Sequence, residues 1–547
     1  MKIGIFIAYR PNSELSNQGL GRLLRELTKG LLTKEGTHVA LLCASWLKKD
    51  LEELFSDIRT DRLSIIGPDR VPALIILQNR LTRRKEGRVG IKARILRLMR
   101  RTAARIVYGV ETTVSKALAI RNPYLFTLVV AILASFAILF APLYLVGAAV
   151  APIVLNLIAR ARRLMAMILA RIPMQKRASL KHVVYDRIFT NETRSMVAIA
   201  DHRKDVDIWF SPTVFWPEFS SIKRPTIQAF PDMLISEFPT SFAIELAGSV
   251  AVFKRASRAI KAGKHFTSYS EAVGHGALGK RFQVDEANIH IIPHAPINLS
   301  RFVTIRGTLD DENAKNKFTT NLIHGYRNEK WISDPYLSTF DFTNTKFIFY
   351  ASQFRPNKNI LNLVKAMELV LRRRHQYLKL ITTGDWEHAP DTKRYISEKR
   401  LNRDIITAYD APDEILAALY AKAQLVVNPT LYEGGFPFTF AEGLSVGTPS
   451  VMSKIPQVTD VIHGELADKM LFDPYSVEDI AEKIVYGLNH RDDLLVMQKT
   501  LYDRLKTRTW SHVADDHLAA FRKIIETEHR DLGAGGAKPL LRQRSTQ

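Results

Sequence analysis

A single cysteine in 547 residues, Cys43, excludes any intrachain disulfide. It sits in the apolar run HVALLCAS, where a buried strand residue is expected rather than a nucleophile, and a chain without disulfides suits a cytosolic location for its soluble parts. Acids are scarce in one region: between Arg80 and Lys181 only Glu86 and Glu111 stand against 20 lysines and arginines. That segment holds +18 of the formal net charge of +23, which leaves +5 for the rest of the chain. Its cations are not interleaved with aromatics at single-strand spacing, which argues against a nucleic-acid partner. They flank an uncharged run instead, an arrangement suited to lipid. Short-period repeats and low-complexity tracts are also missing, and the remaining composition, 46% hydrophobic and 24% charged, is that of a globular chain of two or three domains.

The uncharged run extends over 37 residues from Pro123 to Ala159. As one straight helix it would measure about 56 Å against roughly 30 Å of hydrocarbon, too long for a single span. Pro142 divides it into legs of 19 and 17 residues. Both flanks are basic, and the positive-inside rule puts both on the cytoplasmic side. A hairpin over 123–159, anchoring the chain to the cytoplasmic face of a membrane, is the expectation; a buried pair of core helices is the alternative. The flanks, with Ile95, Leu96, Leu98 and Met99 among arginines, read as amphipathic helices lying on an anionic membrane surface. The opening MKIGIFIA has too short an apolar run for a leader and reads as a strand.

Outside this insert, short β-rich runs alternate with helical periodicity. KIGIFIAY, GLGRLLRELTKGLL and THVALLCAS form an opening βαβ unit; VDIWFSP, PTIQAFPD, HFTSYS and IHIIPHAP continue it, and a second series starts at KFIFYAS. Two Rossmann-like α/β domains in tandem follow. The expected boundaries are 1–340 for the first domain, interrupted by a basic and hydrophobic insert at 81–182, and 341–510 for the second. A closing helix at 511–528 and a disordered Gly/Arg/Gln-rich tail at 529–547 complete the chain. Residues on both sides of the insert must share one sheet, so both its ends lie in one compartment and an odd number of crossings is excluded.

The stretch LYEGGFPFTFAEGLSVGTP, Leu431 to Pro449, follows the strand-like QLVVNPT and so falls where parallel sheets bind ligands. Gly434 and Gly435 let backbone N–H groups approach an anion, and the helix starting at FTFAEG favours negative charge at its N-terminus. Carboxylates there would repel a phosphate unless they are aimed at hydroxyls. A nucleotide sugar meets that requirement, with Glu442 on the ribose, Glu433 on the hexose and the glycines on the diphosphate. YASQFRPNKN supplies Arg355 and Lys358 in a turn before a helix, a fork donor and a point charge for the phosphates.

The motifs NQGLGRLL, SQFRPNKN, ITTGD, LYAKAQLVVNPTLYEGG and AEGLSVGTP together resemble the retaining family 4 glycosyltransferases of the GT-B fold, over nearly the whole chain outside the insert. The resemblance implies two Rossmann-like domains facing a cleft, transfer with retention of configuration, and no bound metal or cofactor. It implies catalytic roles for Arg355, Lys358 and Glu433, and donor binding by Gly19, Gly21, Gly384, Gly434, Gly435, Phe436, Glu442 and Thr448. Asp232, in AFPDMLISEFP, and His294, in IIPHAP, fall where the family has acceptor-side residues. Two departures stand out. Glu433 and Glu442 have eight residues between them where the family has seven, and Gln353 stands where many members carry a phosphate-binding arginine. QFRPNK is locally similar to dolichol-pathway mannosyltransferases, which favours GDP-mannose as donor. The expected function is transfer of a hexose, mannose by preference, from a nucleotide sugar to a polyprenyl-linked saccharide. A membrane-anchored nucleotide-sugar-binding protein with a degenerate transferase fold is the alternative.

Overall fold

A computed structural model of the chain describes residues 1–11, 19–58, 60–77, 174–240, 249–331 and 336–534, with a few positions between 124 and 135. The chain divides into two compact units, Arg70–Asn191 and the remainder, and both sheets belong to the latter. The hairpin expected over 123–159 and most of the 81–182 insert lie outside the described residues. Among those described, no helix is long and apolar enough to cross a membrane.

The first lobe is a parallel sheet of seven strands: β1 (Lys2–Ile7), β2 (His38–Cys43), β3 (Leu63–Ile66), β4 (Ile208–Ser211), β5 (Thr226–Ala229), β6 (His265–Ser268) and β7 (Ile289–Ile291). Their order is β3-β2-β1-β4-β5-β6-β7. In the second lobe β8 (Phe347–Tyr350), β9 (Lys379–Thr382), β10 (Ile405–Thr407), β11 (Leu425–Asn428), β12 (Ser450–Ser453) and β13 (Leu471–Phe472) run in the order β10-β9-β8-β11-β12-β13. Central strands such as FIFY and LVVN are unbroken apolar runs because helices cover both faces, and every residue of these two is buried. Chain order reverses between β1 and β4 and between β8 and β11, the places where α/β sheets open a crevice at their carboxyl ends. Gly4 is set by its neighbour: it pairs with Trp209, whose ring lies 2.2 Å from where a Cβ would stand.

Two boundaries differ from expectation. Leu299, Val303, Ile323, Tyr326, Trp331, Phe340 and Phe342 share one core cluster with Phe347, Phe349 and Ile381. The second lobe therefore begins near residue 298 and not at 341, because the helix Asp311–Lys330 packs on the helix Asp413–Lys422 of that lobe. The expected helix at 511–528 is longer, Trp510–Ala534, and takes in the first residues of the expected tail; 535–547 lie outside the described residues. This helix crosses back to the first lobe and packs along the helix Gly19–Leu32, where the Trp510 carbonyl oxygen lies 2.4 Å from the Cβ position of Gly30. Phe210 and Phe521 enclose His517, with ring centroids at 5.6 and 5.9 Å, and Lys34 pairs with Asp515 at 2.6 Å.

Candidate active site

The turn after β8 and the loop after β11 come from neighbouring strands and are tied together by asparagines. Pro356–Lys358 forms one 3-10 turn, closed by Asn359 in the left-handed region at φ 53°. Asparagine tolerates that conformation, and its Nδ2 donates to the carbonyls of Pro429 at 3.0 Å and Pro474 at 2.7 Å. Buried Asn357 donates to the Tyr432 carbonyl at 3.0 Å, and its own carbonyl accepts from the Leu431 N–H at 2.8 Å. This stitching sets Lys358 Nζ 2.5 Å from Glu433 Oε1. Beside them Arg355 donates to Gln353 Oε1 at 3.2 Å, so Gln353 holds the arginine two places on.

Glu442 lies on the helix Phe438–Ser445 and is 5% exposed. Its Oε2 accepts from the Tyr420 hydroxyl at 2.7 Å, and its Oε1 meets Arg22 Nη1 of the first lobe at 3.2 Å. Arg22 also pairs with Asp413. Burial pushes the Glu442 carboxyl above its ordinary range; Arg22 and the Tyr420 hydrogen bond pull it back, and Asp413 adds to the rise.

The first lobe contributes the residues that follow its strands. Burial raises the Asp232 carboxyl after β5, Arg355 and Lys358 oppose that rise, and Glu433 reinforces it. Asp232 thus lies within electrostatic reach of the cationic turn and the loop glutamate of the other lobe. Gly434 and Gly435 are packed against this lobe too: a Cβ on Gly434 would stand 2.3 Å from the Pro231 carbonyl oxygen, and one on Gly435 3.0 Å from Tyr269 Cβ. Ser270 Oγ donates to the Gly434 carbonyl at 3.0 Å. The close approach that requires glycine here is made by the facing lobe. His294 is stacked among Tyr269, Phe438 and Trp510, with centroids at 3.9, 4.8 and 6.3 Å, and burial lowers its pKa to about 3.

Of the expected site residues, Arg355, Lys358, Glu433 and Asp232 come together, and Glu442 stands on its own network. Thr448 is fully buried and its hydroxyl donates to the Tyr420 carbonyl at 2.6 Å, which fixes the turn after the Glu442 helix. Phe436 is half-buried and packs on Phe440 at 5.3 Å at the edge of its lobe's core. Gly384 makes room for the Phe354 ring, 2.2 Å from its Cβ position. Gly19 and Gly21 open the helix that carries Arg22. Arg22, Asp413, Tyr420 and Tyr269 were missed. Arg22 directly follows the glycines of NQGLGR, a signal that its side chain starts from the edge of the site; the other three carry none.

Residues 339–503 match the glycosyl transferases group 1 family. A 157-residue stretch is 29% identical to O-antigen chain mannosyltransferase B of Escherichia coli, over 28% of this chain and 40% of that protein. Another, of 185 residues, is 28% identical to MMP alpha-(1->4)-mannosyltransferase of Mycolicibacterium hassiacum, over 33% and 43%. The matches thus span less than half the length of these curated relatives. Among solved structures, sucrose-phosphate synthase from Thermosynechococcus elongatus superposes with a TM-score of 0.54 over 96% of this chain and 99% of that one, at 12% identity, a likeness of fold. The two parallel-sheet lobes have the GT-B fold, and the second is a glycosyltransferase domain.

Proposed function

We propose that the chain is a membrane-associated hexosyltransferase, moving mannose from GDP-mannose with retention of configuration onto a polyprenyl-linked saccharide at the cytoplasmic face of a membrane. The observation that carries this is the convergence of Arg355, the Lys358–Glu433 pair and Asp232 at the facing carboxyl edges of two sheets. The names of both curated relatives support mannose, and that of the Escherichia coli protein supports polysaccharide assembly.

In the transfer, the bond from the sugar's anomeric carbon to the diphosphate oxygen breaks and one to the acceptor hydroxyl oxygen forms on the same face. The hydroxyl proton passes to the departing phosphate. Charge therefore grows on the diphosphate, where Arg355 and Lys358 act, each charge-assisted hydrogen bond contributing roughly 1.5–3 kcal/mol. Lys358 has three N–H donors, so it can keep Glu433 while it takes a phosphate oxygen. Glu433 so held accepts from hexose hydroxyls. A carboxylate has about four acceptor sites, so Glu442 can receive ribose hydroxyls beside Arg22 and Tyr420. Anchoring through the 81–182 insert would confine the enzyme to the surface that holds its acceptor and raise the effective concentration.

The test is a screen of nucleotide sugars, reading nucleotide release on membranes that contain polyprenyl-linked saccharides. The full chain should favour GDP-mannose, and Arg355→Ala should lose at least tenfold in release. Replacing Leu81 through His182 by a Gly-Ser linker should leave donor hydrolysis intact and abolish transfer to lipid-linked acceptor. Binding of nucleotide sugars without turnover would refute the enzyme, and undiminished transfer by the linker variant would refute the lipid-linked acceptor.

A further inference from the structure

Tyr269 directly follows β6, at the same carboxyl edge of the first sheet as Asp232 after β5. The residue is 7% exposed, and its hydroxyl has no hydrogen-bond partner among the described residues. Buried hydroxyls are nearly always paired, so an orphaned one at a sheet's ligand-binding edge needs a cause. Packing does not supply it. The ring is held at 3.9 Å by His294, and its Cβ lies against Gly435 of the other lobe, but these contacts engage carbon atoms and leave the oxygen out. Burial and then Tyr9 and Asp232, both of the first lobe, bear on the phenol. Burial raises the phenol's pKa, so it stays protonated at physiological pH and can donate. A protonated phenol beside a carboxylate offers one donor and several acceptor sites, the complement of a polyol.

We propose that the Tyr269 hydroxyl contacts the acceptor saccharide, donating a hydrogen bond to one of its oxygens while Asp232 accepts from a neighbouring hydroxyl. The inference rests on the reading of the facing edges as a sugar-transfer site and adds a residue that sets which acceptor fits. An acceptor lacking that oxygen leaves the phenol unpaired, which is how a polar site rejects a deoxy analogue. The donor is held by the second lobe, so the phenol should discriminate acceptors and leave nucleotide affinity unchanged.

Binding can be measured without turnover, by ligand-observed NMR with a panel of methyl α- and β-hexopyranosides and by calorimetric titration with GDP and UDP. Tyr269→Phe removes only the oxygen: its thermal midpoint should equal or exceed that of the unchanged chain, nucleotide affinity should hold, and hexoside affinity should fall roughly tenfold. Tyr269→Ala also removes the ring against His294 and should lower the midpoint, which separates packing from the hydrogen bond. Equal hexoside affinity in the unchanged chain and Tyr269→Phe overturns the proposal, as does a loss confined to nucleotide affinity. A chain that binds none of the hexosides overturns it too. Failure of the transferase reading would show separately, as absent nucleotide release with the hexoside difference still readable.

Discussion

Arg22 and Glu442 are 420 positions apart in sequence and 3.2 Å apart in the fold. A sealed carboxylate rises in pKa, and Arg22 is the cation that opposes the rise at Glu442. The ionised form accepts the ribose hydroxyls in the stronger, charge-assisted hydrogen bonds. Removing the guanidinium in Arg22→Ala should push the carboxyl further up, so that it takes its proton at a higher pH and nucleotide binding fails sooner as pH falls. Calorimetric titration of GDP between pH 5.5 and 8 should show the affinity loss displaced to higher pH in the variant, and Arg22→Lys should restore much of the profile. A uniform loss at every pH would mean that Arg22 acts on lobe geometry alone. At this scale the sequence placed Lys358 and Glu433 in two separate short motifs, the SQFRPNKN turn and the LYEGG loop, and the structure joins those motifs through Asn357 and Asn359. The sequence was silent on Arg22 and Tyr269, whose roles depend on what the opposite lobe presents. It did not say where the Thr448 hydroxyl points, because a threonine in a turn reads the same whether its hydroxyl faces solvent or a buried carbonyl.

Helices carry the same ambiguity. The polar sequence of Asp311–Lys330, which buries only Thr319, Ile323 and Tyr326, does not announce which lobe its helix covers, so the lobe boundary was read some forty residues late. The helix Trp510–Ala534 likewise closes the first lobe, although it follows the second in sequence. Gly30 makes its docking possible, since a Cβ there would stand 2.4 Å from backbone that cannot rotate away and 3.3 Å from Ala514 Cβ. Gly30→Val should therefore cost about 1–3 kcal/mol, the usual range for overpacking a tight contact. The checks are a lower thermal midpoint and faster proteolytic cleavage within 510–534. An unchanged midpoint would mean that the helix is not seated on Gly30.

Across the molecule, the two sheets were the most legible feature, because strands buried on both faces appear as unbroken apolar runs such as KIGIFI and FIFY. The seam where the last helix returns holds four histidines whose pKa values burial depresses from 6.5: His294 to about 3, His265 and His517 to about 4, and His290 in the same direction. Unfolded, each binds a proton below about 6.5 that the folded chain refuses, so the stability of the neutral seam is complete above that pH and is lost as pH falls toward 4. Each group contributes a slope of about 1.4 kcal/mol per pH unit in that window. Thermal midpoints should drop steadily from pH 6.5 to 4.5, and His517→Phe, still enclosed by Phe210 and Phe521, should flatten the drop; the same slope in both would exclude His517. The returning helix also orders events in time. At roughly 5–20 residues per second of synthesis, the 243 residues that follow Ile291, the end of β7, up to Ala534 take on the order of tens of seconds. Throughout that interval the newborn first sheet waits on the ribosome with Phe210 and the face of Gly30 uncovered. Its final piece is thus delivered after the whole second lobe has emerged, and translation speed and chaperone cover over that window help decide how much of the chain is ever completed as one body.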